Sequence, residues 1–298
     1  MQHKFFDLQV NGYAGLDFNR EDYNEEHIQR ACELMIEHGA EGALATVITD
    51  DLDAMIRKLE KIAALIRPPI TGIHIEGPFI SSKPGYIGAH PAQHAIPANL
   101  DAMRRLLDAA AGLTRMVTLA PEQDPGGHVT SYLNDSGVTV SAGHCDPTME
   151  QLEQSIDAGL SMFTHLGNGC PAQMHRHDNI IQRVLSISKQ LMVCYIADGA
   201  HIPFSALKNY LTVSGIDRSI VVTDAISATG LGPGTYTLGE REVAVGEDGV
   251  VWAPDRSHFV GSACPMPRVI ENLREHLDLD NDAIASLVFH NPKIALSG

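Results

Sequence analysis

Eight short apolar runs rich in β-branched residues, alternating with amphipathic stretches, constrain this chain more than any other feature. The runs lie at 5–10, 43–49, 70–75, 115–119, 139–142, 161–164, 191–196 and 220–223. Helical patterns lie between them at 24–38, 52–66, 100–111, 129–135, 148–158, 180–188 and 204–213, with two more at 267–276 and 282–289 after the last run. Strands that are apolar at nearly every position and separated by helices belong to a parallel sheet covered on its outer face. Eight such units close most simply into a (β/α)8 barrel. The alternative is an open doubly wound sheet. Its commonest use, dinucleotide binding, is disfavoured because no GxGxxG follows the first run.

At 298 residues the chain has the length of one barrel domain, expected over 1–298. One segment, 226–262, departs from the alternation. It carries Gly232-Pro233-Gly234, alternating Tyr236, Leu238, Val243 and Val245, and a turn over 247–249, and it predicts a β-hairpin inserted between the eighth strand and its helix.

Acidic residues outnumber basic ones 37 to 21, a net charge of −16 that disfavours nucleic acid and anionic membranes as partners. No apolar run approaches the roughly 20 residues of a membrane span, and the N-terminus reads as a strand rather than a signal peptide. Five cysteines without a CxxC pair give neither a disulfide framework nor a thiolate zinc site, so a reducing, cytoplasmic setting is expected. Fifteen histidines are an excess, and imidazole is the commonest transition-metal ligand.

In a barrel of this kind the active site lies at the C-terminal ends of the strands. The residues delivered there are Gln9, Asn11, Glu76, Glu122, His144, His165, Asp198, His201 and Asp224. Any one of them is most simply a satisfied hydrogen-bonding group, but several converging on one rim are not. Glu76, His144 and His165 supply one carboxylate and two imidazoles, a set suited to zinc or a similar divalent ion with an open position. Such an ion acidifies water and polarises a carbonyl oxygen, and Asp224 on a neighbouring strand is placed to move the proton. A serine or cysteine nucleophile has less support, since no GxSxG occurs.

Seven motifs in order carry a resemblance. His74-Ile75-Glu76-Gly77-Pro78, Gly88-Ala89-His90, Ser141-Ala142-Gly143-His144, Thr164-His165-Leu166-Gly167-Asn168, Ala197-Asp198-Gly199-Ala200-His201, Val222-Thr223-Asp224-Ala225 and Gly261-Ser262-Ala263-Cys264-Pro265-Met266 resemble those of the N-acetylglucosamine-6-phosphate deacetylases, in the amidohydrolase superfamily. The resemblance implies hydrolysis of an acetamide on a phosphorylated amino sugar. It implies one divalent metal ion, zinc, on Glu76, His144 and His165, with Asp224 as catalytic aspartate and His90 polarising the carbonyl. His201, Asn168 and the Gly169 backbone fall where the family binds the sugar phosphate. Arg176 falls near an arginine that reaches the phosphate of a neighbouring subunit, which implies a homodimer.

Two departures stand out. Gln9 and Asn11 occupy the place of a His-x-His pair, so a second metal loses its usual ligands. The strands that build an accessory β-sandwich in the family are not expected here. The cluster His175-Arg176-His177 is also unlike the family stretch and reads as a solvated loop. Rival readings are an amidohydrolase for another N-acyl or cyclic amide substrate, and a non-catalytic binding protein on the same barrel.

Overall fold

The computed structural model describes residues 3–246, 249–253 and 259–297. Eight parallel strands form one sheet in sequential order: β1 (Phe5–Val10), β2 (Ala40–Ile48), β3 (Ile70–Glu76), β4 (Thr114–Leu119), β5 (Thr139–Ala142), β6 (Leu160–Phe163), β7 (Met192–Ile196) and β8 (Ser219–Val222). The last strand returns to the first. Val10 bridges Ala225 in parallel, and the Asn11 and Gly12 amides both donate to the Ala225 carbonyl. The expected barrel is the fold observed.

A helix follows every strand: α1 (Glu25–Glu37), α2 (Leu52–Leu65), α3 (Leu100–Ala109), α4 (His128–Asp135), α5 (Met149–Asp157), α6 (Ile180–Ser186), α7 (Phe204–Ser214) and α8 (Met266–Leu277). Five of them begin where a side chain accepts the free backbone amides of the first turn: Asn24, Asp51, Asn99, Thr148 and Asn179. Each such cap contributes about 1 kcal/mol and fixes where a helix leaves its loop. Among the described residues no helix is long and apolar enough to cross a membrane.

Alternation along each strand sorts the core in two. Ile73, Ile75, Val117, Val140, Val193 and Val221 face the helices in the larger apolar cluster. Leu8, Leu44, Met116, Met162, Cys194, Ile220 and Val222 form a second cluster that fills the barrel. Higher in the barrel, on β3 to β6, the inward positions turn polar: His74, Thr118, Ser141 and, one residue beyond β6, Thr164, all wholly buried.

The 226–262 segment holds three antiparallel strands, one more than a hairpin: β9 (Gly234–Leu238), β10 (Arg241–Val245) and β11 (Val251–Trp252). Of the expected turn at 247–249, residues 247 and 248 lie outside the described residues. This small sheet is tied to the barrel by Asp17, whose Oδ2 accepts from the Gly239 amide at 2.8 Å and the Thr237 hydroxyl at 3.4 Å. Burial pushes the Asp17 carboxyl up to about 7, against the lowering effect of its hydrogen bonds. Arg241 on β10 donates to the carbonyl of His90 at 3.3 Å, so the sheet also braces the rim.

Candidate active site

A cavity of about 720 Å³ opens at the C-terminal ends of the strands, within the usual range for small-molecule sites. Its wall includes Asn11, Glu76, His90, His144, His165, Asn168, Gly169, His201 and Asp224. Every residue to which the resemblance gives a role therefore meets in one place, except Arg176. That side chain is exposed on the loop after Met174 and does not line the cavity.

Glu76 is the centre. Its Oε1 lies 3.0 Å from His165 Nε2 and 3.4 Å from His144 Nε2, and its Oε2 lies 3.6 Å from His90 Nε2. Burial alone would raise the Glu76 carboxyl, but the surrounding imidazoles hold it well below the ordinary carboxylate range. The same carboxylate lifts His165 above its ordinary value, against the opposing effect of burial. The ligand atoms of Glu76, His90 and His144 lie within 4.8 Å of one another, and all three residues are buried.

Backbone groups distinguish the two imidazoles that flank Glu76. His144 Nδ1 is 2.7 Å from the Tyr86 carbonyl, which can only accept, so Nδ1 carries a proton and Nε2 is the ring atom left to face Glu76. His90 is the reverse. Its Nδ1 accepts from the Thr49 backbone amide at 3.2 Å, so in the neutral ring Nε2 carries the proton. Burial drives the His90 ring well below its ordinary pKa and so keeps it neutral. A lone pair facing a carboxylate is repulsive, so His144 Nε2 beside Glu76 calls for a proton or a cation between them. The donor set of Glu76, His144 and His165 fits a divalent ion, and His90 offers a proton rather than a ligand atom.

Asp224, on the far side of the cluster, accepts from Asn11 Nδ2 at 2.7 Å. Burial pushes its carboxyl up to about 6, with the charge of His165 opposing. Gln9 Nε2 similarly donates to Glu76 Oε1 at 3.1 Å. The sequence places Gln9 and Asn11 at the rim and in the place of metal ligands; the structure makes them amide braces on the two carboxylates. His201 Nδ1 is 2.7 Å from Asp198 Oδ2, so its other ring nitrogen is left for the cavity. Asp198 thus holds His201, and Glu122 accepts from the Asp146 amide at 2.7 Å in a structural turn. His175 Nδ1 accepts from the Asp178 amide, as in the solvated loop expected at 175–177.

Three of these residues share a backbone signature. His144, His165 and Asp224 have φ of 51°, 32° and 52°, in the left-handed region that side chains other than glycine rarely adopt. Six non-glycine residues in the described chain do so, and half of them are here. Strained backbone gathered at one cavity is a mark of function rather than packing.

A parallel barrel whose rim presents a buried carboxylate, convergent imidazoles and a separate raised-pKa aspartate defines a metal-dependent amidohydrolase. No family model matches the chain. Comparison with curated proteins finds N-acetylglucosamine-6-phosphate deacetylases. That of Bos taurus is 31% identical, with 90% of this chain and 67% of the relative covered, and that of Lysinibacillus sphaericus is 28% identical, with 96% and 74% covered. Among solved structures, the Mycobacterium smegmatis deacetylase in complex with N-acetyl-D-glucosamine-6-phosphate superposes with a TM-score of 0.90 at 29% identity, covering 99% of this chain and 77% of that one. The Thermotoga maritima enzyme gives 0.87 at 27% identity, covering 99% and 78%. The chain belongs to the N-acetylglucosamine-6-phosphate deacetylase family. Roughly a quarter of each of the two solved relatives has no counterpart in it.

Proposed function

We propose that this protein hydrolyses the acetamide of N-acetylglucosamine 6-phosphate to acetate and glucosamine 6-phosphate. The observation that carries the reading is the meeting of Glu76, His90, His144, His165 and Asp224 on one cavity wall, each with a distinct hydrogen-bonding state. Glu76, His144 and His165 would hold one divalent ion, zinc in our reading. When bound, it supplies a Lewis acid for the acetamide carbonyl and acidifies the hydrolytic water. The amides of Gln9 and Asn11, already committed to Glu76 and Asp224, favour one ion over two.

Asp224 takes the proton of the attacking water and passes it to the departing amine. A carboxyl raised to about 6 suits both tasks, being a base near neutrality and a usable acid once protonated. Asn11 occupies Oδ1 and leaves Oδ2 for that traffic. The Nε2 proton of His90 points where negative charge develops on the carbonyl oxygen. His201, Asn168 and the Gly169 backbone receive the phosphate. In this reading Arg176 of a second copy brings the cation for the phosphate, in a homodimer. A reduced cytoplasm remains the expected compartment.

The test is acetate release from a panel of N-acetylated sugars, with and without 6-phosphate, by zinc-loaded protein. Asp224→Asn is expected to lower kcat by about 10²–10⁴-fold. No acetate from any sugar, or an Asp224→Asn variant as fast as wild type, would end the proposal. Faster release from the sugars without phosphate would transfer it to another N-acyl substrate.

A further inference from the structure

Four buried polar side chains inside the barrel play no part in the chemistry above. His74 Nδ1 is 3.2 Å from the Leu8 carbonyl and donates to it, so Nε2 of the neutral ring is an acceptor, 2.8 Å from the Thr118 hydroxyl. Thr118 therefore spends its one proton on His74 and must accept from Thr164 at 2.7 Å. Thr164, its own proton spent, must accept from Ser141 at 2.7 Å. One backbone carbonyl thus orders the whole chain, Ser141 to Thr164 to Thr118 to His74 to Leu8. All four side chains are at 0% exposure, so no water competes.

The placement of this chain is more telling than its burial. It ties β3, β4, β5 and the end of β6 across the barrel, one layer below the site. Glu76 is two residues beyond His74, His144 three beyond Ser141, and His165 directly follows Thr164. The three side chains that meet above leave from three of the strands that the chain joins. Gly143 completes the packing: a Cβ there would stand 2.7 Å from Thr118 Cγ2 and 3.1 Å from Thr164 Cβ, so only glycine lets the hydroxyls close up. A core needing only apolar filling would gain more from valine at these positions. On the β7, β8 side the barrel is filled by Cys194, Ile196, Ile220 and Val222.

We infer that the Ser141–Thr164–Thr118–His74 hydrogen-bond chain is a positioning device that holds the ends of β3, β5 and β6 at the spacing where Glu76, His144 and His165 can grip a cation together. The inference rests on the reading that these three residues bind a divalent ion. Groups that orient metal ligands from behind typically matter by about 10–100-fold in affinity.

Thr118→Val keeps the shape and removes the central hydroxyl, leaving His74 without a donor and Thr164 without an acceptor. Thr118→Ser keeps the hydroxyl and removes a methyl. Zn²⁺ affinity of each protein is measured by competition with a chromophoric chelator, and thermal unfolding is followed on the metal-free proteins. The expected result is an affinity at least 10-fold weaker for Thr118→Val, restored to within about 3-fold by Thr118→Ser, with metal-free unfolding temperatures of the two variants alike. Ser141→Ala, which removes only the terminal donor, is a milder second variant and is expected to show a smaller loss. Equal Zn²⁺ affinity in Thr118→Val and wild type overturns the inference while leaving the metal site intact. So does a loss that Thr118→Ser reproduces, since packing alone would then explain it. A wild-type protein that binds no Zn²⁺ overturns the metal site and the inference together.

Discussion

The assignment of opposite protons to two neighbouring histidines can be tested directly. His90 and His144 have ring centroids 4.4 Å apart and both face Glu76, so proximity alone makes either one a ligand. The Thr49 amide and the Tyr86 carbonyl separate them. His90 Nε2 stands 3.6 Å from Glu76 Oε2, beyond a proper hydrogen bond, so its proton is uncommitted and available to substrate. Replacing His90 by Asn should then remove one donor to the developing oxyanion, worth about 2.7–4 kcal/mol or 10²–10³-fold in kcat. Zn²⁺ stoichiometry and affinity should not move. His144→Asn removes a ligand, and asparagine also tolerates the left-handed backbone at that position, so misfolding is not the expected cause of any loss. Its Zn²⁺ affinity should fall by more than the ~100-fold that outlying changes reach. The assay is metal content after dialysis, chelator competition, and acetate release at saturating Zn²⁺. If His90→Asn sheds zinc as readily as His144→Asn, the proton assignment is wrong and the tight group of Glu76, His90 and His144 is the ligand set instead.

Two further outcomes follow from local geometry. Gly169 has φ +61°, and a Cβ there would lie 2.8 Å from His144 Nδ1, where ordinary contact begins at 3.4 Å. Gly169→Ala must therefore push the ring off the Tyr86 carbonyl, and Zn²⁺ affinity should drop about 10-fold, with ~1 kcal/mol of fold stability lost to the backbone; unchanged affinity by chelator competition would contradict it. Asp17 has its carboxyl raised by burial from 3.8 to about 7. Between those values the unfolded chain binds fewer protons than the folded one, so this group lowers stability as pH rises from about 4 to about 7 and contributes a constant amount above. The full effect is up to ~4 kcal/mol, and the urea-unfolding free energy of metal-free Asp17→Asn should lack that share of the slope; an identical slope would refute it.

The barrel was legible because parallel strands buried on both faces read as apolar runs, and each of the eight falls within three residues of its expected start. The chemistry was legible because ligand-type side chains stand at strand ends, as Glu76 does at the end of β3. What sequence could not show is carried by backbone. The amide of Thr49 and the carbonyl of Tyr86 fix which ring nitrogen of His90 accepts and which of His144 donates, yet neither residue type predicts this. Gln9 and Asn11 were visible as polar strand-end residues, but their bonds to Glu76 and Asp224 span 67 and 213 positions. The buried hydroxyl layer did leave a signal: His74, Thr118, Ser141 and Thr164 interrupt apolar runs at or near the strand ends. Threonine and serine are ordinary in strands, so the interruption alone does not mark a buried network. The third strand of the 226–262 sheet, only two residues long, gave too short a pattern to register.

The left-handed backbone at His144, His165 and Asp224 also bears on the history of such a chain. Each costs roughly 1 kcal/mol or more, against a total stability of about 5–15 kcal/mol for a folded domain. Glycine would relieve that strain at any of the three. A lineage freed from selection for this site would find mutations that abolish it among the tolerated ones, some even favourable to folding. Decay would run downhill here. A barrel that still carries three strained, ligand-type residues in mutual reach is therefore unlike a relic, because nothing in its folding would have kept them.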